Sequence, residues 1–116
     1  MYKLVIFIKS LEDADSFEEK WPEFLHSAEK MPGLVYETTS RVDKILYGEE
    51  KIAQIHELYF KSQKDAVRAM SSPEGREAGR TLQRITGGRI SLFFADHKGD
   101  DLNNIRKFRR EDNASE

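Results

Sequence analysis

The chain has 116 residues, 38% of them hydrophobic and 34% charged, which suits one domain with a single core and is too apolar for a disordered polymer. With 19 basic and 21 acidic residues the net charge is -2, against the basic excess that phosphate contacts give a nucleic-acid binder. Cysteine is absent, so disulfide scaffolds, thiol nucleophiles and thiolate metal sites are excluded.

Tyr2 to Lys9 is a short run rich in β-branched and aromatic residues, which predicts a strand. It is too short to span a bilayer and has no small-residue cleavage site. The expectation is a cytoplasmic protein without a membrane segment. Both faces of the strand are apolar, with Leu4, Ile6 and Ile8 on one and Val5 and Phe7 on the other. Such a strand must be covered twice. Asp15-Ser16-Phe17-Glu18 resembles a capping box. The helix it opens carries Phe17, Trp21, Phe24, Leu25, Ala28 and Met31 as one apolar stripe. Pro22 lies inside that stripe and predicts a kink or the first turn of a second segment. Met31-Pro32-Gly33 ends it.

A second, more polar strand is predicted over Leu34 to Leu46, with a turn at Gly48-Glu49-Glu50 and a third strand over Ile52 to Phe60. The two form a hairpin. Ser62-Gln63-Lys64-Asp65 caps another helix that turns Ala66, Val67 and Met70 inward. Ser72-Pro73-Glu74 restarts a helix, with Ser as cap and Pro at its first position. Ala78, Leu82 and Ile85 form its apolar stripe, and Gly87-Gly88 closes it. Gly75 and Gly79 share a face and permit close backbone packing. Arg89 to Ala95 is the last strand, with Ile90, Leu92 and Phe94 on one face and Phe93 and Ala95 on the other.

The order β-α-β-β-α-β predicts an α+β, ferredoxin-like domain: a four-stranded antiparallel sheet with its helices on one face. The other face is bare, yet the first and last strands are apolar there too. That pattern predicts a homodimer with facing sheets. The domain is expected to span residues 1–98. Residues 99–116 form a charged tail in which Leu102, Ile105 and Phe108 have the spacing of a short docking helix.

The stretch from Ser71 to Arg84, the Gly87-Gly88 pair and the apolar strand after it resemble the EthD family. So do the opening strand, Met31-Pro32-Gly33-Leu34 and Glu57-Leu58-Tyr59-Phe60. The resemblance covers about Tyr2 to His97. It implies a dimeric α/β barrel and a pocket in each subunit for a small, often aromatic ligand. Relatives in the wider group include cofactor-free monooxygenases, cyclases and isomerases. The resemblance thus implies a cofactor-independent enzyme of a degradation or secondary-metabolite pathway, or a non-catalytic binding, regulatory or accessory dimer. EthD-like chains often carry a histidine eight residues before the Pro of the Pro-Gly pair. Here that position is Phe24, and His26 lies about 180° from Phe17 on the helical wheel, away from the apolar stripe.

His56 and Glu57 are polar residues in an apolar strand and are the candidate catalytic groups. Successive strand residues face opposite ways, so the two form no dyad. Glu57 shares a face with Ala53, Ile55 and Tyr59, where lost hydration would raise its pKa and suit a general base or a neutral donor. His56 shares its face with Gln54, Leu58 and Phe60. Trp21, Tyr36, Glu37, Tyr59 and Arg41 are candidate ligand-binding residues: aromatic bodies for a flat molecule, and a cation for an acidic group. Arg76, Arg80 and Arg84 form a ridge read as a solvated face paired with Glu74 and Glu77. No spacing among His26, His56 and His97 suggests a metal site, and no cofactor motif is present. An RNA-recognition domain has the same element order, but Ile55 and Glu57 stand where its stacking aromatics belong.

Overall fold

The computed structural model describes residues 1–99 and Asn103. The order is β1 (Tyr2–Lys9), α1 (Ala14–Ala28), β2 (Tyr36–Arg41), β3 (Ile52–Phe60), α2 (Gln63–Ser71), α3 (Pro73–Thr86) and β4 (Ile90–Asp96). The strands form one antiparallel sheet in the order β2-β3-β1-β4. This is the expected ferredoxin-like fold, with the second helical segment divided at Ser72.

The helices cover the face that presents Leu4, Ile6, Ile8, Leu58 and Phe60. Phe17, Trp21, Phe24 and Ala28 of α1 meet it, together with Met31, Ala66, Ala69, Ala78, Leu82 and Ile85. Each large side chain buried there contributes roughly 1.5–3 kcal/mol. Register sets what stands on the opposite face: Val5 lies across from Glu57 and Phe93, Lys3 from Tyr59 and Ala95, and Phe7 from Ile55 and Ser91. Among the described residues no helix covers that face. Phe93 remains 42% exposed there, and its ring meets Phe7 edge-on at 5.0 Å.

Several local expectations are corrected. The cap of α1 is Asp13, whose carboxylate accepts the Ser16 N–H, so the helix starts earlier than the Asp15 box implies. Pro22 neither breaks α1 nor starts a new segment. It sits on the exposed side, where water can satisfy the carbonyl left without a partner. β2 is shorter than Leu34 to Leu46, because its ladder ends as the Val42 N–H reaches the Ala53 carbonyl. Beyond it, Leu46 and Tyr47 are 87% and 98% exposed. In α2 it is Ala66 and Ala69 that face inward, while Val67 points out and Met70 is half-buried. Ser62 and Ser72 cap as expected, Ser62 accepting from Asp65 N–H and Ser72 from Gly75 N–H. Gly75 lets α3 approach α2, since a Cβ there would lie 2.0 Å from the Ala69 carbonyl oxygen, whereas Gly79 faces open space. The expected docking helix at Leu102, Ile105 and Phe108 lies outside the described residues.

Candidate functional site

The pleat divides the candidate residues between two faces. On the helix face, His56 is fully buried and braced edge-on by Trp21 at 5.1 Å and Phe24 at 5.7 Å between ring centroids. Its ring spans the two strands of the hairpin. Nε2 lies 2.9 Å from the Glu37 carboxylate and Nδ1 lies 2.8 Å from the Thr39 hydroxyl. An ionised carboxylate only accepts, so Nε2–H donates to Glu37 and Nδ1 accepts from Thr39. Burial lowers the His56 pKa despite the opposing pull of Glu37. The imidazole is therefore neutral at pH 7, with both nitrogens satisfied. Thr39 stands directly across from His56 in the β2–β3 register, and Glu37 reaches it diagonally. The sequence reading singled out Glu37 and missed Thr39. Alternation was the available signal, because residues 37 and 39 share a face.

On the bare face, Glu57 accepts from the Tyr59 hydroxyl at 2.5 Å and pairs with Lys3 at 3.3 Å. The hydrogen bond from Tyr59, aided by Lys3 and His97, outweighs desolvation and lowers the Glu57 pKa. This corrects the expected rise: the carboxylate is stabilised in its ionised form, contrary to what a neutral donor or a strengthened base requires. Burial and the adjacent carboxylate raise the Tyr59 pKa. Tyr59 also packs against Tyr36 at 4.8 Å and His97 at 5.0 Å, with the Lys3 ammonium 5.5 Å from its ring centroid. Tyr36 is more than half exposed.

Thus Trp21, Glu37 and His56 come together beneath α1, while Tyr36, Glu57 and Tyr59 cluster on the sheet's outer face. Arg41 belongs to neither group. Its Nη2 donates to Glu18 of α1 at 2.9 Å, across one end of the helix–sheet layer. There it borders a cavity of about 220 Å³ shared with Ile8, Leu11, Phe17 and Gln54.

The space between helices and sheet beneath Phe24, Met70 and Leu82 is a cavity of only about 20 Å³, close to the minimum for one water. It adjoins a groove of about 640 Å³ between α3 and β4, lined by Gly79, Arg80, Leu82, Gln83, Arg84, Ile90 and Leu92. Sequence reasoning did not anticipate this groove, because β4 reads as an ordinary two-faced strand. Its Leu92 is instead 46% exposed beside α3. The arginine ridge is paired as expected in kind but not in every partner. Arg80 meets Glu77, Arg84 meets Glu23 of α1, and Arg76 donates to the Ser71 carbonyl. Among the described residues no group of three or more His, Asp or Glu is placed to hold a metal ion, and no helix is long and apolar enough to cross a membrane.

No family model matches the chain. An uncharacterised 11.0 kDa protein of the thcB–thcC intergenic region of Rhodococcus erythropolis is 22% identical over 99 residues, covering 84% of this chain and 96% of that protein. The crystal structure of an EthD family protein from Bacillus halodurans superposes with a TM-score of 0.78 at 24% identity, over 84% of this chain and 99% of that one. SnoaB, a cofactor-independent oxygenase from Streptomyces nogalater, gives a TM-score of 0.62 at 13% identity, covering 87% and 95%. At these identities what is shared is the fold.

Proposed function

We propose that this chain is an EthD-type small-molecule pocket protein that acts as a homodimer and binds a flat, neutral aromatic molecule in the groove between α3 and β4. The observation that carries the reading is the groove itself. Its volume of about 640 Å³ falls within the ~300–1,000 Å³ of small-molecule sites, whereas the interior cavity of about 20 Å³ does not. Leu82, Ile90 and Leu92 supply an apolar floor. Arg80, which commits Nε and Nη2 to Glu77, and Arg84, held by Glu23, offer guanidinium planes on which a flat ring can stack. The homodimer is supported by the bare sheet face, where Phe7, Ile55 and Phe93 await cover.

Binding is favoured over turnover. The groove is lined by arginine, glutamine, glycine and aliphatic side chains, none of which takes a proton at neutral pH. His56 is the neutral base nearest in kind, but Trp21 and Phe24 seal it and Glu37 and Thr39 occupy both nitrogens. A reaction in the manner of a cofactor-independent oxygenase, supported by the likeness to SnoaB, would require that seal to open.

The test is a ¹⁵N NMR titration of the intact protein with 1-naphthol, with oxygen uptake followed in parallel. Saturable shifts at Gly79, Gln83 and Leu92 that vanish in Leu92→Arg, without oxygen uptake, are the expected result. Shifts that persist unchanged in Leu92→Arg would overturn the groove as the site. Uptake abolished by His56→Gln would replace binding with catalysis.

A further inference from the structure

A second cavity, beside Arg41, shares no lining residue with the α3–β4 groove. Its walls are mainly apolar: Ile8 of β1, Leu11, Phe17 of α1, and Val42 and Ala53 of the hairpin. Gln54 lines it from β3. That side chain is only 4% exposed, and its Nε2 is buried without a hydrogen-bond partner. A buried amide donor left unpaired costs about 1–3 kcal/mol, so Nε2 asks for an acceptor that its apolar neighbours do not give, while Glu18, which also lines the cavity, is held by Arg41 instead. Register places Arg41 directly opposite Gln54, with Ile8 opposite Gln54 on its other side. Arg41 gives one nitrogen, Nη2, to Glu18. Its remaining N–H donors make no hydrogen bond among the described residues. The arrangement is thus a cationic fork at the mouth, a Gln54 amide in the wall whose Nε2 lies just beneath the surface and meets a ligand by turning about its terminal torsion, and an aliphatic and aromatic body between them.

We propose that this cavity binds a small carboxylate with an apolar body. The carboxylate would sit between Arg41 and Gln54, one oxygen accepting from the guanidinium and the other from Nε2, while the body packs on Ile8, Leu11 and Phe17. At about 220 Å³ the cavity holds the equivalent of roughly seven waters at ~30 Å³ each. It therefore has room for an acid the size of a branched short-chain or single-ring carboxylate. Charge decides the class. Arg41 is always cationic and shaped for a carboxylate; Glu18, which lines the cavity and holds its Nη2, offsets part of that charge, so the remaining N–H donors take one carboxylate and a second negative group is disfavoured.

The test is a titration of the intact protein with benzoate, and with benzyl alcohol as a partner of nearly the same body without the charge. The readouts are the Gln54 side-chain NH₂ and Arg41 Nε–H resonances. Benzoate is expected to shift both saturably and benzyl alcohol to bind far more weakly. Losing one charge-assisted hydrogen bond weakens binding about tenfold or more, so Gln54→Leu and Arg41→Leu should each do at least that. Arg41 is exposed, so its variant tests the site even if Gln54→Leu disturbs the fold. Leu92→Arg, which blocks the groove, should leave benzoate binding intact, so either site can fail without the other. No saturable shift at Gln54 and Arg41, equal binding of benzyl alcohol, or undiminished affinity in Arg41→Leu would each overturn the assignment.

Discussion

At the scale of single residues, two adjacent side chains with opposite orientations make opposite demands on pH. His56 is buried and neutral, with its pKa lowered from 6.5 by burial. The unfolded chain therefore binds the proton more readily. Stability is fully present above about pH 6.5 and is lost as pH falls toward the lowered value. Glu57 has its pKa lowered from 4.5 chiefly by Tyr59, so its contribution is present above about pH 4.5 and is lost only in stronger acid. Urea unfolding across pH should show two declines: His56→Gln removes the upper one and Glu57→Gln the lower. If His56→Gln leaves the upper decline in place, the buried imidazole is not its source. Truncation of His56 to alanine should cost about 3 kcal/mol, combining a cavity with lost hydrogen bonds. Thr39→Val should cost about 1–2 kcal/mol by leaving Nδ1 unpaired. The orientation of both candidates was legible in the sequence through alternation. The pKa direction of Glu57 was not, because it depends on Lys3 of a strand distant in sequence and on a Tyr59 hydroxyl whose reach no pattern encodes.

Elements were legible where local chemistry and packing agree. β3 ends as read, because both of its faces are needed, and Ser62 and Ser72 cap because a hydroxyl there finds an N–H three residues on. β2 was overestimated because Val42, Ile45 and Leu46 carry strand-like residue types. Strand propensity needs a surface to pack on, and beyond Val42 the hairpin supplies none. The two glycines of α3 share a face in the sequence pattern and behave differently. Gly75→Ala would drive a methyl into the Ala69 carbonyl and should destabilise by about 2–3 kcal/mol through overpacking. Gly79→Ala meets nothing within 4 Å and should stabilise the helix by about 0.5–1 kcal/mol. Paired thermal melts with opposite signs would bear this out; two losses would mean that Gly79 also supports a close contact.

For the molecule as a whole, the fold was available from element order and the two-faced apolar strands. The groove was not, since it arises from how far β4 stands from α3. The homodimer reading makes a direct prediction. Sedimentation should give twice the chain mass at micromolar concentration, and Phe93→Arg, placing a charge on the outer face beside Phe7 and Val5, should return one chain mass with the same far-ultraviolet circular dichroism. A single chain mass for the unaltered protein would remove the facing-sheet assembly.

The position of β4 has a cost for a lone subunit. It is an edge strand, and Ile90-Ser91-Leu92-Phe93-Phe94-Ala95 contains neither a charge nor a proline. Leu92, Phe93 and Phe94 stay more than 40% exposed on its two sides. These are the traits of a segment that recruits strands from other molecules into fibrils. A subunit separated by Ile55→Arg keeps that segment bare and should nucleate thioflavin-positive fibres. One separated by Phe93→Arg carries a gatekeeper charge within the segment and should stay dispersed.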